Sequence, residues 1–347
     1  MKKGSFFLLL LSAVAALGVA QNDLQPAAIV NLTRSEPITV KQFRNEVERM
    51  ERGTGRTLDT AERRQLLDIL INEKLAIQAA ERDKISISEN EVNQQLQQLR
   101  DGIAQSIGRP PTDAEFSQAI RNETALDLPA FREQLRRQIL VNKYLQFKKQ
   151  DIFETVKAPT EAEIENRYNL ERAKYVRPDT VRFSMIQVVF GDDAAEKARA
   201  KELAERLSRE IGSSPAKFDE VVLRGQVPDA GFKAGDAGFL PKNLEAQQLM
   251  GEDFIKTAFS LKQGEVSKLT EGAQSYQIIK VTETYSMKNL ELGDIFQLGT
   301  RITVRDYIGN LLLQERRQGA IAKATKELLT ELRAGKTFQV FEKNITW

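Results

Sequence analysis

The sequence predicts an α+β protein built from more than one domain. Amphipathic helices follow one another from Phe43 to Tyr144, a segment from Val181 to Glu283 starts and finishes on a strand, and the chain closes on a long helix and one short strand. Apolar residues three and four apart mark the helices, and short apolar runs bounded by turn residues mark the strands.

The chain opens with Met1-Lys2-Lys3, an apolar run from Phe6 to Leu17 and the small residues Gly18-Val19-Ala20. That order reads as a secretory signal peptide over residues 1–20. No later run reaches the roughly 18 apolar residues a membrane helix needs, so no transmembrane anchor is expected after cleavage. With no cysteine in 347 residues, neither a lipid anchor nor a disulfide is available. Stability must come from apolar burial, which a chain 41% hydrophobic can supply.

Histidine is absent as well. Without His and Cys there is no Ser-His-Asp or Cys-His pair and no usual zinc site, so neither a metal nor a cofactor is expected. The one side chain whose ordinary pKa lies near neutrality is also missing. The formal net charge of +2 falls to zero once Lys2 and Lys3 leave with the signal peptide, and a balanced chain gives no footprint for nucleic acid.

Two extended pieces, Ala28-Ile-Val-Asn31 and Pro37-Ile-Thr-Val40, precede a helix bearing Phe43, Val47 and Met50. Asp59 and Glu62 have the spacing of a capping box ahead of the stripe Leu66, Leu67, Leu70, Ile71, Leu75, Ala76 and Ala79. Ser88/Glu91, Thr112/Glu115 and Thr160/Glu163 repeat that spacing, and Pro129 starts a helix carrying Phe131, Leu135, Ile139 and Tyr144. Prolines flank the helix after Thr160, which predicts a semi-rigid arm over residues 158–178. The Gln94-Gln95-Leu96-Gln97-Gln98 run reads as an exposed helix face.

The segment from Val181 begins with the strand Val181 to Phe190, followed by a helix from Ala194 to Ile211 that Gly212 stops. A helix near Phe218, the loop Gly235-Asp-Ala-Gly238-Phe239, a helix with Phe254, Ala258 and Phe259, then Gly264-Glu-Val-Ser267 and the strand Tyr276 to Val281 complete it. This succession resembles the parvulin (PpiC-type) prolyl isomerase domain, a variant of the FKBP-like superfold. The resemblance implies two histidines in the first and last strands with a cysteine or aspartate between them. Here those positions hold Met185 and Gln277, with Pro228 or its neighbour Asp229 at the third. Met250 and Phe254 stand where the family places the Met and Phe of its proline pocket, and with Phe239 they are the expected substrate-binding residues.

Ile29-Val-Asn, Pro37-Ile-Thr-Val, and Arg64 to Ala80 followed by Ile85-Ser-Ile-Ser-Glu-Asn-Glu-Val92 resemble the N-terminal domain of SurA- and PrsA-type periplasmic chaperones. The resemblance implies a helical chaperone domain over residues 21–157, completed by the C-terminal helix and strand of residues 288–347. Phe338 to Phe341 would pair near Ile29 or Ile38, and a parvulin-like domain over residues 179–287 would be inserted between the two parts. The partners implied are unfolded or extended polypeptides, outer-membrane or secreted, met in the periplasm without ATP. Two other readings stay open at this stage. One is an active peptidyl-prolyl isomerase, for which Met250, Phe254 and the glycine loop speak. The other is an envelope scaffold with one folded partner.

Overall fold

A computed structural model describes residues 23–345 apart from Asp192 and Pro228. The expected signal peptide lies outside the described residues. The chain divides into two compact units, one joining the chain up to Lys157 with Glu315 onward, the other spanning Ala158–Gln314.

The first unit opens with β1 (Pro26–Val30) and β2 (Glu36–Thr39) and continues through α1 (Val40–Thr54), α2 (Thr60–Arg82), α3 (Glu89–Ile107), α4 (Asp113–Thr124), α5 (Leu128–Lys148) and the short α6 (Gln150–Glu154). Reciprocal capping boxes start α1 to α4, at Thr39/Gln42, Asp59/Glu62, Ser88/Glu91 and Thr112/Glu115. Each satisfies two backbone N–H groups that the first helical turn leaves without partners. Asp127 caps α5 through the Ala130 N–H, with Pro129 in the first turn.

The second unit contains α7 (Glu161–Leu170), β3 (Val176–Arg177), β4 (Thr180–Val189), α8 (Ala194–Ile211), α9 (Pro215–Arg224), β5 (Lys233–Pro241), α10 (Leu244–Met250), α11 (Glu252–Ser260), β6 (Thr270–Glu271), β7 (Ser275–Tyr285) and β8 (Lys288–Asn289). The helix α12 (Val304–Leu332) begins in the second unit, enters the first at Glu315 and leads to β9 (Phe338–Val340).

The C-terminal strand closes the first unit. β9 pairs antiparallel with β1, Ile29 opposite Gln339, so β1 is the central strand of a sheet ordered β2-β1-β9. Asn31 N–H donates to Thr337 O at 2.7 Å and Phe341 N–H to Ala27 O at 2.9 Å, extending the ladder at both ends. Arg333 at the end of α12 reaches Asp68 and Asn72 on α2 and lies over the Phe338 ring. Beneath the sheet, Phe43, Leu67, Ile71, Leu75 and Tyr144 form one core with Ala324, Leu328 and Leu332 of α12.

Gln78 is wholly buried in that core. Its Oε1 accepts from the N–H groups of Leu32 and Thr33, both at 3.1 Å, and its Nε2 donates to Glu36 at 3.1 Å. One α2 side chain thereby holds the turn that sets β2 against β1. Tyr144, also fully buried, donates its hydroxyl to Asp83 at 3.0 Å, and burial followed by that carboxylate pushes the phenol up to about 12.

In the second unit β5-β4-β7-β6 form an antiparallel sheet with a core on each face. Ile186, Val188, Tyr276 and Ile278 face α8 and α9, while Val181, Phe183, Ile279 and Val281 face α10 and α11. Three expectations are corrected here. Residues 235–239, read as a loop, belong to strand β5, because β4 offers a partner along its whole length. A bulge at Ala237, between the pairs Phe183/Gly238 and Ser184/Asp236, had hidden the strand period. The expected helix around Phe254 is α11, and the structure adds a further helix, α10, directly before it. The segment 158–178 is no free-standing arm: Ile164, Tyr168 and Tyr175 pack with Leu290, Val304 and Ile308, and Tyr168 donates its hydroxyl to Leu290 O at 3.0 Å. Residues 288–314 therefore belong with the second unit rather than the first.

Gln78→Leu leaves the Leu32 and Thr33 N–H groups without their acceptor. It should lower stability by about 1–3 kcal/mol in urea unfolding, and an unchanged midpoint would show the turn is held by other means. Acid acts on the caps. Arg56 draws the Glu62 carboxyl down to about 2, Lys143 does the same to Glu91, and Arg109 to Glu115. Depressed carboxyls stabilise the fold above their unfolded value of about 4.3 and lose that contribution as pH falls through about 2. Far-UV circular dichroism should therefore hold level through the neutral range and lose helix signal between about pH 4.5 and about pH 2. A transition centred near neutrality would contradict this.

Candidate functional site

Side chains alternate across a strand, so Met185 on β4 shares a sheet face with Phe183, and Gln277 on β7 shares that face with Ile279 and Val281. The register sets Met185 opposite Ile279 and Gln187 opposite Gln277. Met185 and Gln277 are thus diagonal neighbours rather than a directly facing pair.

Met250 and Phe254 come to the same face through a backbone kink. α10 ends at Met250, Gly251 takes φ 88° and ψ 151°, and α11 begins at once. That conformation is open to glycine and hardly to any other residue. The turn sets Met250 and Phe254 against the core of Val181, Phe183, Ile279 and Val281, together with Met185. Phe254 meets Phe183 edge to face, ring centroids 5.6 Å apart, so this surface is apolar and aromatic.

At its polar end, Gln187 and Gln277 each donate a side-chain N–H to Ser275 Oγ at 3.0 Å, and Ser275 is buried. Gly272 in the turn before β7 leaves room for this, since a Cβ there would stand 3.0 Å from Gln277 Nε2. Sequence reading missed Gln187 and Ser275. The signal was present: they lie two residues from Met185 and Gln277, the strand period that returns a side chain to the same face. The cluster can offer neutral donors and acceptors but holds no group that titrates near neutrality.

The remaining expected residues do not join this surface. Phe239 points to the opposite face from Leu240, and it is Leu240 that enters the core with Met185 and Phe254. Phe239 instead meets Tyr285 edge-on at 6.0 Å, lies under the Arg182 guanidinium and closes on Gly299. The alternation of β5 causes this, and a reading of those residues as a loop could not foresee it. Asp229 is an exposed residue at φ 65° in the turn before β5, whose following Phe232 and Ala234 pack on the α8/α9 side. Pro228 lies outside the described residues.

A SurA-like N-terminal domain matches residues 2–145 and a PPIC-type PPIase domain residues 159–292. The chain thus carries a SurA-like N-terminal domain followed by a PPIC-type domain, and it is similar to foldases and chaperones of the SurA/PrsA type. Among its relatives is the foldase protein PrsA of Clostridium botulinum, 23% identical over 310 residues that cover 88% of this chain and 80% of the relative. The chaperone SurA of Albidiferax ferrireducens is 27% identical over 290 residues, covering 79% of this chain and 60% of that longer one. Solved structures that resemble it include a SurA-like chaperone of Campylobacter jejuni, at 13% identity and TM-score 0.40 over 91% of this chain and 100% of that one. PrsA of Bacillus subtilis is another, at 19% identity and TM-score 0.27 over 90% and 94%. Among the described residues no helix is long and apolar enough to cross a membrane.

Gly251→Ala should destabilise the Ala158–Gln314 unit by about 1–3 kcal/mol in urea unfolding of the full chain. Unaltered unfolding would mean that alanine is accommodated at the kink.

Proposed function

We propose that this protein is an exported, ATP-independent chaperone of the periplasm that holds unfolded secreted or outer-membrane polypeptides, and that its PPIC-type domain grips proline-containing segments with little turnover. One observation supports the second part: Met185, diagonal to Gln277, lies on the same apolar core as Met250 and Phe254, and the resemblance puts Met185 and Gln277 where the family has its histidine pair. Rotating a prolyl amide meets a barrier of roughly 18–20 kcal/mol. A catalyst lowers it only through interactions stronger with the twisted amide than with the planar one. Met185 has no hydrogen to donate. The amides of Gln187 and Gln277 each give one N–H to Ser275, which leaves one neutral N–H apiece where the family has an imidazole pair.

A second reading, active isomerisation, draws on those same two amides, which are hydrogen-bond donors at the end of an apolar surface. The two readings separate in a pair of assays on the mature chain. For the chaperone reading, suppression of aggregation of a diluted, denatured outer-membrane protein should need no nucleotide. A protease-coupled prolyl peptide assay should give rates near those of Phe254→Ala. Rates well above that variant would establish the isomerase, and failure to suppress aggregation would remove the chaperone.

A further inference from the structure

A trough runs along the C-terminal half of α5, past α6, to the part of α12 that lies in the first unit. Two cavities of about 530 and 560 Å³ meet there and share Gln146 and Phe153 as walls. Phe147 is 55% exposed at one end and Ile321 49% exposed at the other, although both are large apolar side chains. Asn142 and Gln146 stand one turn apart on α5 and line the same trough, their amides suited to bonding the N–H and C=O of an extended chain. Its charges are unequal. Lys143 is paired with Glu91 and Glu154 accepts from Gln150, whereas Arg317 on the α12 wall has no ion-pair partner among the described residues. From residue 142 to the end of α5 at 148 the helical rise gives a length of about 9 Å, which matches roughly three extended residues.

We propose that this trough is a binding subsite for an extended polypeptide segment of about three residues in which apolar side chains are joined by an acidic one. Phe147, Phe153 and Ile321 receive the apolar side chains, Asn142 and Gln146 hold the backbone, and Arg317 pairs with the carboxylate. The assignment rests on the reading of the chain as a binder of unfolded polypeptides and names the sequence class one part of it selects. Arg317, the cation without a partner, favours an acidic client residue over a basic one by charge complementarity.

The test uses the full mature chain and two fluorescein-labelled decapeptides of alternating apolar and polar residues, identical except for a central Glu or Lys, titrated by anisotropy. The Glu peptide should bind about threefold tighter than the Lys peptide, the size of a partly exposed ion pair. Phe147→Ser should weaken both by about tenfold, and Arg317→Glu should reverse the preference. Both positions are exposed, so thermal melts should match wild type. Equal binding of the two peptides, or a preference that Arg317→Glu leaves in place, overturns the proposal. If wild type still suppresses aggregation in that event, the trough alone is rejected. If it binds neither peptide and suppresses nothing, the chaperone reading falls with it.

Discussion

The backbone ladder between Ala28–Val30 and Phe338–Val340 is the constraint on which the first unit depends. A lone two-stranded pairing of β1 and β2 is marginal in water, and a third strand from the far end of the chain makes it a sheet. That strand brings the apolar side of α12 with it, so Ala324, Leu328 and Leu332 cover the stripe of Leu67, Ile71 and Leu75. Gln78 completes the arrangement from below by tying the β1–β2 turn to α2. The cost of bringing such distant segments together grows only slowly with the length of chain between them, so a whole folded unit can be accommodated there.

Within that inserted unit, the sheet separates two tasks. The face toward α8 and α9 is filled by Ile186, Ile278, Leu207 and Phe218, while the face toward α10 and α11 carries Met185, Met250 and Phe254, which remain partly buried. Surfaces of that second kind keep apolar area available to a ligand at little cost in stability. The buried Ser275 shows how the polar remainder is handled. Two glutamine amides share one hydroxyl, so neither nitrogen is left without a partner when no peptide is bound. A neutral cluster of this kind does not titrate near neutrality, in keeping with a chain that contains no histidine at all.

Much of the helical part was legible. The boxes at Asp59/Glu62, Ser88/Glu91 and Thr112/Glu115 read directly as helix starts, because a cap is made by residues three apart and needs no help from the rest of the fold. β5 was not legible. Gly235, Ala237 and Gly238 carry no alternating pattern, and only pairing with β4 and the bulge at Ala237 give them strand form. The same blindness placed Phe239 with Met250 and Phe254, when the strand turns it to the other face and sends Leu240 inward.

The sequence by itself determined the helices with their caps and the missing His and Cys with the chemistry they rule out. Those properties are carried by composition or by neighbours a few residues apart. Tertiary structure decided the partners across distance: which strand β9 joins, that residues 158–178 pack with residues 290–308, and that Gln187 and Ser275 stand with Gln277. Strand register and side-chain facing arise only when separate segments hydrogen-bond to one another, and a shift of one residue would turn every side chain of a strand to the other face.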